Sequence, residues 1–442
     1  MRKIHLFFNS LFLSLLFAAA ASGAVFTVTK TADTNDGVCD ADCSLREAVT
    51  AADAGVGGNT VKFSPSLIGT PIVLTAGEIQ LISANITGPG ANQITISGNN
   101  SSRIFFVPAG NALTISGVTL TGGNGVGVVH PSPGGGAVRA EGIVHLDGVN
   151  FTANSVSGSN AEGSAILYTG VAGVKIRNST FSNNLGVGVY FTGQSTASIY
   201  NSTFVEGPGF FTPVLHLIGT PLKMRNCTVE GMISIGGLSG LDVGNSVVGH
   251  AERTSMLGGM TSQGNNIFMN TATTGNPVSY HATDQLNVNP LLDTINNNGG
   301  TTPTLALLPG SPAIDAGSNA QVIAAGYAID QRRYARTVDG NGDMNAVADI
   351  GAYEFGSTPV VPISFSGRVH DAAGSGVGRA TVTVTDSEGN IRSVTTSPLG
   401  YFVLNDIYVG NILVEISAKS HRFTPITIYA TENIANMELA VQ

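Results

Sequence analysis

Val174-Lys-Ile-Arg-Asn-Ser-Thr-Phe181 returns a short distance on as Ala197-Ser-Ile-Tyr-Asn-Ser-Thr-Phe204. The same eight-residue frame fits Leu113-Thr-Ile-Ser-Gly-Val-Thr-Leu120, Val144-His-Leu-Asp-Gly-Val-Asn-Phe151, Leu222-Lys-Met-Arg-Asn-Cys-Thr-Val229 and Leu241-Asp-Val-Gly-Asn-Ser-Val-Val248. Its third position is always apolar (Ile115, Leu146, Ile176, Ile199, Met224, Val243), and so is its eighth (Leu120, Phe151, Phe181, Phe204, Val229, Val248). The fifth holds only Gly117, Gly148, Asn178, Asn201, Asn226 and Asn245. Gly and Asn enter the left-handed backbone region cheaply, so each repeat is predicted to bend there between two strands.

A third strand per repeat lies between these frames, in Val138–Gly142, Ile166–Gly170, Val189–Gly193 and Leu215–Gly219, each ending on Gly. Three short strands and three bends in about 20–30 residues describe one coil of a parallel β-helix, whose apolar interior is completed only by stacking. Successive third-position residues are 31, 30, 23, 25 and 19 apart, which fits a fixed core with loops of varying length. An antiparallel sandwich would not need the same bend residue in register six times. Stacked coils place Asn178, Asn201, Asn226 and Asn245 above one another, a predicted ladder of side-chain amides.

The 442 residues include 57 Gly and no Trp, and 20 Lys+Arg against 29 Asp+Glu give a net charge of −9. An acidic chain without basic runs excludes nucleic acid and anionic membrane as expected partners. Arg2 and Lys3 precede an apolar run ending in Ser22-Gly23-Ala24, which predicts a signal peptide over residues 1–24 and a secreted or cell-surface protein. No later apolar run is long enough for a transmembrane helix, and a monomer is expected. In an oxidising compartment Cys39 and Cys43 are expected to pair, leaving Cys227 odd. Ser44-Leu-Arg-Glu47 has the form of a capping box, and Leu45, Ala48, Val49 and Ala52 then mark one face of a short helix. The predicted class is therefore all-β: a parallel β-helix over 61–265, preceded by a strand and capping helix over 25–60.

These columns resemble the right-handed parallel β-helix repeat proteins, a family that includes pectin-degrading enzymes, other polysaccharide lyases and many secreted or surface proteins with no known activity. Cys43-Ser-Leu-Arg-Glu-Ala48 resembles the CSLREA-type segment at the start of many bacterial secreted β-helix proteins. Gly264–Phe268, Asn289–Leu292, Asn298–Gly300, Pro309–Gly317 and Asp349–Phe355 resemble, in that order, the choice-of-anchor Q domain of bacterial surface proteins. That resemblance implies that residues 266–355 form the C-terminal part of the β-helix. Gly356–Pro362 reads as a linker, and 363–442 alternates apolar and polar residues in about seven short runs, a small Ig- or transthyretin-like β-sandwich. Gly367–Asp371, Gly378–Val384 and Gly400–Phe402 resemble the carboxypeptidase-regulatory-like domain, which implies a noncatalytic spacer or binding unit.

Two chemistries were sought. Asp339, Asn341 and Asp343 offer oxygen at alternate positions, with Asp349 as a further ligand, and this suits a hard cation such as calcium. Met344 and Ile350 stand where an EF-hand-like loop needs Gly and an acid, which favours a turn hydrogen-bonding its own backbone. No cofactor is otherwise implied. With Val138, Ile166, Val189 and Leu215 inward, the outward positions of the third strands are Arg139, Leu167, Tyr190 and His216, then Glu141, Thr169, Thr192 and Ile218. Sugar hydrolysis needs two facing carboxylates, and Arg139, Glu141, Tyr190 and His216 supply one. Ordinary surface is the favoured reading of these four. The expectation is a noncatalytic protein for surface display, adhesion or binding of an extracellular polysaccharide or surface partner; a polysaccharide-degrading lyase or hydrolase working in the β-helix groove is the alternative.

Overall fold

The computed structural model describes residues 23–55, 58–156, 162–208, 212–253, 259–271, 279–387, 390–419 and 421–440. The expected signal peptide lies, but for its last two residues, outside the described residues. The chain is nearly all β, with a parallel β-helix followed by a β-sandwich.

Each coil begins on a first sheet of ten parallel strands, running from Val25–Val28 and Thr60–Phe63 through Ala112–Ser116, Ile143–Asp147 and Val174–Arg177 to Gly259–Ser262. A bend follows, with positive φ at Gly117 (61°), Gly148 (61°), Asn178 (51°), Asn201 (44°), Asn226 (53°) and Asn245 (50°). The chain then enters a second sheet, through strands such as Asn150–Thr152 and Thr180–Ser182, and afterwards a third, through Val138–Ala140, Ile166–Tyr168 and Val189–Phe191. Thr228–Gly236 runs from the second sheet into the third without a break, joining them into one 16-stranded sheet.

The third and eighth positions of the repeat face inward and are essentially inaccessible. Phe151, Phe181 and Phe204 stack on successive coils at 4.7 and 4.6 Å, nearly parallel. Their alignment follows from the one-to-one register of the coils. At the N-terminal end, the helix Leu45–Ala54 closes this core with Leu45, Ala48, Val49 and Ala52. Its capping box is complete: Glu47 N–H donates to Ser44 Oγ (3.1 Å) and Ser44 N–H to Glu47 Oε2 (2.7 Å). A disulfide joins Cys39 to Cys43 just before it.

Two features differ from the sequence reading. Coils continue to Gln285–Leu286, but residues 287–355, expected as the last part of the β-helix, add no further coil. They form a strap that runs back along the bend between the first and second sheets. Asn265 donates to Ala316 O (3.0 Å), Asn245 exchanges two bonds with the Ser318 backbone (2.9 and 3.0 Å), and Asn201 donates to Ile329 O (2.9 Å). Thr302 then reaches the Asn178 carbonyl (3.0 Å). The strap carries a short helix, Asn319–Ala325, capped by Ser318, that the pattern did not show.

The second difference is that the bend amides form no ladder with one another. Their hydrogen bonds go to the strap and, for Asn178, to Asp147 Oδ1 (2.8 Å). Continuous side-chain bonding runs through the next position instead: Val149 N–H donates to Ser179 Oγ, Ser179 N–H to Ser202 Oγ, and Cys227 N–H to Ser246 Oγ. A true amide pair sits past the eighth position, where Asn154 Nδ2 donates to Asn184 Oδ1 (3.0 Å).

Residues Ile363–Ala440 form two sheets of three and four strands around their own core, with Phe365 and Phe402 at its centre. The sandwich rests on the β-helix and the strap: Arg177 Nη1 donates to Ser387 O (2.7 Å), Asn411 N–H to Gly326 O (3.1 Å), and the Arg333 guanidinium lies 5.5 Å from the Tyr408 ring.

Candidate functional site

The third-sheet residues do share one outward row, since Arg139, Leu167, Tyr190 and His216 are register partners on successive strands. That row is not an open groove. Arg103, fully buried beside Glu78, donates to the carbonyls of Gly125, Ser132 and Gly134, and Glu78 accepts from the amides of Val129 and His130. The insertion between Gly122 and Gly136 is thereby folded over the sheet, with His130 against Phe106. Leu167 and Tyr190, expected outward, are buried at 2% and 9% exposure. Glu141 stands 3.4 Å from His130 Nε2 and 3.8 Å from Arg139 Nε, so one carboxylate meets two basic groups. His216 packs on Tyr190 at 4.7 Å, and burial pulls its pKa below that of free histidine. Burial, helped by Glu162, raises that of Tyr190.

The acidic loop is held by its own backbone. Asp339 accepts from the amides of Gly342 (2.6 Å), Asp343 (3.2 Å) and Met344 (2.7 Å), Asn341 from Asp343 N–H, and Asp343 from Asn345 N–H. Asp349 is buried and accepts from the amides of Asp315 and Phe355. Burial lifts its pKa to about 6, and burial with the neighbouring Asp349 carries Glu354 well above the ordinary carboxylate range. Among the described residues, no three His, Cys, Asp or Glu side chains are placed to hold a metal ion.

The most enclosed cleft lies elsewhere, on the outward face of the first sheet, with a volume of about 780 Å³. Its floor is Thr114, His145 and Lys175 in one row and Ser116, Asp147 and Arg177 in the next; Thr301 and Arg333 of the strap and Asn390 and Tyr408 of the sandwich form its walls. These floor residues occupy the second and fourth positions of the repeat, whose alternation with the inward third position places them outside. Asp147 is the hub: it pairs with Arg177 (3.0 Å) and Arg333 (3.7 Å) and accepts from Asn178. The network joins helix, strap and sandwich. The cleft walls, with Lys175 and Arg177 nearby, hold the His145 pKa below its usual value, which keeps the ring neutral at neutral pH. The trough continues along the same sheet past Ser198 and Lys223 to Asp242 and Thr261. The repeat columns already contained Lys175, Arg177, Lys223 and Arg225, and a period-two reading around the third position would have found this face.

Residues 364–440 match the carboxypeptidase regulatory-like domain family. No curated protein and no solved structure matches the chain.

Proposed function

We propose that this is a noncatalytic extracellular protein whose β-helix serves as a rigid display and carbohydrate-binding surface, with the C-terminal domain docked against it as one wall of the binding cleft. The observation that carries the reading is the disposition of carboxylates. Glycoside hydrolysis needs a pair about 5–10 Å apart, one acting as acid. The first-sheet cleft has Asp147 alone, tied to two arginines, and the roofed third-sheet row has Glu141 alone, tied to His130 and Arg139. Export and surface location are supported by the basic and apolar N-terminus, the CSLREA-type and choice-of-anchor Q-like segments, and the Cys39–Cys43 disulfide, which suits an oxidising compartment.

The test is incubation of the purified full chain with pectins and other polysaccharides, with and without calcium, alongside a binding assay on the same materials. Binding without chain cleavage is expected. Turnover that disappears in Glu141→Ala or His216→Ala would replace this reading by the enzymatic one. Fractionation of the producing cells checks location, the protein being expected in the medium or on the cell surface.

A further inference from the structure

We infer that the outward face of the first sheet is a track for an extended anionic glycan lying along the β-helix axis, from the sandwich-walled cleft at His145 and Lys175 to Lys223. This rests on the carbohydrate-binding reading above and names its site and ligand charge.

The first support is charge. The chain as a whole is at −9, yet the two outward rows of this sheet carry Lys62, Lys175, Arg177, Lys223 and Arg225 against Asp147 and Asp242. The outward positions of the second sheet from Thr95 to Thr228 contain no Lys or Arg, and those of the third contain only Arg139. One positively charged face on an acidic body attracts a polyanion to that face and repels it elsewhere.

The second support is shape. Adjacent strands are about 4.8 Å apart, so Lys175 and Lys223, two coils from each other, are separated by about 10 Å, and His145 and Lys223 by about 14 Å. Continuous depressions connect them. A ligand touching both ends must be an elongated chain running across the strands. Between the charges the lining is hydroxyl-rich, with Thr114, Thr196 and Ser198, which suits sugar hydroxyls. Single-stranded nucleic acid needs a series of aromatic platforms. Here Tyr200 packs on Tyr327, and Tyr408 stands only at the cleft wall.

Arg177 and Arg333 already serve the Asp147 hub, so the track depends on the exposed row: His145, Lys175 and Lys223. Protonation of His145 below its depressed pKa adds a third cation to that row and favours an anion.

The experiment measures binding of the full chain to polygalacturonate (carboxylated), dextran sulfate (sulfated), neutral dextran and poly-uridylate over a salt series. Acidic glycans are expected to bind, more weakly as salt rises, and more tightly at acid pH where the glycan keeps its charge. Lys223→Ala is expected to weaken binding about two- to fivefold and Lys175→Ala/Lys223→Ala about tenfold, with Lys223→Glu stronger than Lys223→Ala. Circular dichroism verifies folding of each variant. Arg139→Ala is expected to leave affinity unchanged. The two acidic glycans separate carboxylate from sulfate recognition. Glycan binding that ignores the first-sheet variants, that prefers neutral dextran, or that falls with Arg139→Ala overturns the track while leaving carbohydrate binding intact. Tighter binding of poly-uridylate overturns the ligand class, and failure of every glycan to bind removes both readings.

Discussion

Replacing Asn201 by alanine tests whether the bend amides hold the strap. Asn201 is fully buried at φ +44°. Its Nδ2 donates to Ile329 O (2.9 Å) and its Oδ1 accepts from Arg336 Nη2 (3.0 Å). Arg336 is itself fully buried and shares its other bonds with the carbonyls of Gly351 and Ala352. Losing the acceptor of a charged donor costs about 1.5–3 kcal/mol, and losing the neutral bond about 1 kcal/mol. Alanine also bears a left-handed backbone penalty of about 1–2 kcal/mol that Asn largely escapes. Asn201→Ala should therefore destabilise by about 3–5 kcal/mol, and Asn201→Gly, which is free of the backbone penalty, by about 1 kcal/mol less. Urea unfolding of the full chain measures the sum, and limited proteolysis between residues 287 and 355 reports whether the strap lifts first. If both variants unfold within about 0.5 kcal/mol of the parent, the buried amide contributes nothing and the argument fails.

Phe181 lies between Phe151 and Phe204, so Phe181→Ala removes two stacked contacts and leaves a cavity, at a cost of about 3–5 kcal/mol by thermal or urea unfolding. Cys227 is fully buried and its pKa is pushed up to about 12, so a thiol reagent should modify it only after denaturant is added. Asp349 is held protonated to about pH 6 in the folded chain, against an ordinary value of 3.8; its contribution to stability is full below the unfolded value and is lost as pH rises through 6. Melting curves between pH 4 and 7.5 should show a loss of stability with rising pH in that window, reduced in Asp349→Asn. Because the backbone fills both carboxylate oxygens of Asp339, chelation should leave the melting temperature unchanged; a rise on adding calcium would reopen the loop as a metal site.

The coil architecture was legible because three physical demands recur at fixed offsets: an inward apolar residue at positions three and eight, and a residue tolerant of positive φ at five. Ser44 and Glu47 announced the capping helix by the same logic of local satisfaction. The strap was not legible. Its 287–355 segment has little periodic pattern, and its anchors are backbone carbonyls of its own reached by amides more than 70 residues away, such as Asn245 to Ser318. Asn in a bend column therefore has two explanations with the same sequence signature, since a ladder partner and a docking partner both need a left-handed amide. Here each bend side chain turns away from the next coil, and serine at the following position supplies the bond between coils.

The site teaches a related lesson about averaging. A net charge of −9 excluded polyanions as partners for the whole chain, yet charge acts over a Debye length of about 8–10 Å, not over a molecule. Once position three is known to face inward, positions two and four face outward, and a row of the sheet is a row of the alignment. Thr114, His145, Lys175, Ser198, Lys223 and Asp242 are then consecutive sites about 4.8 Å apart on one surface, however many residues separate them in the chain. On a solenoid the electrostatic unit is the column of the repeat. An acidic chain can present a cationic track to solvent, and the columns that build it are the ones on either side of the core.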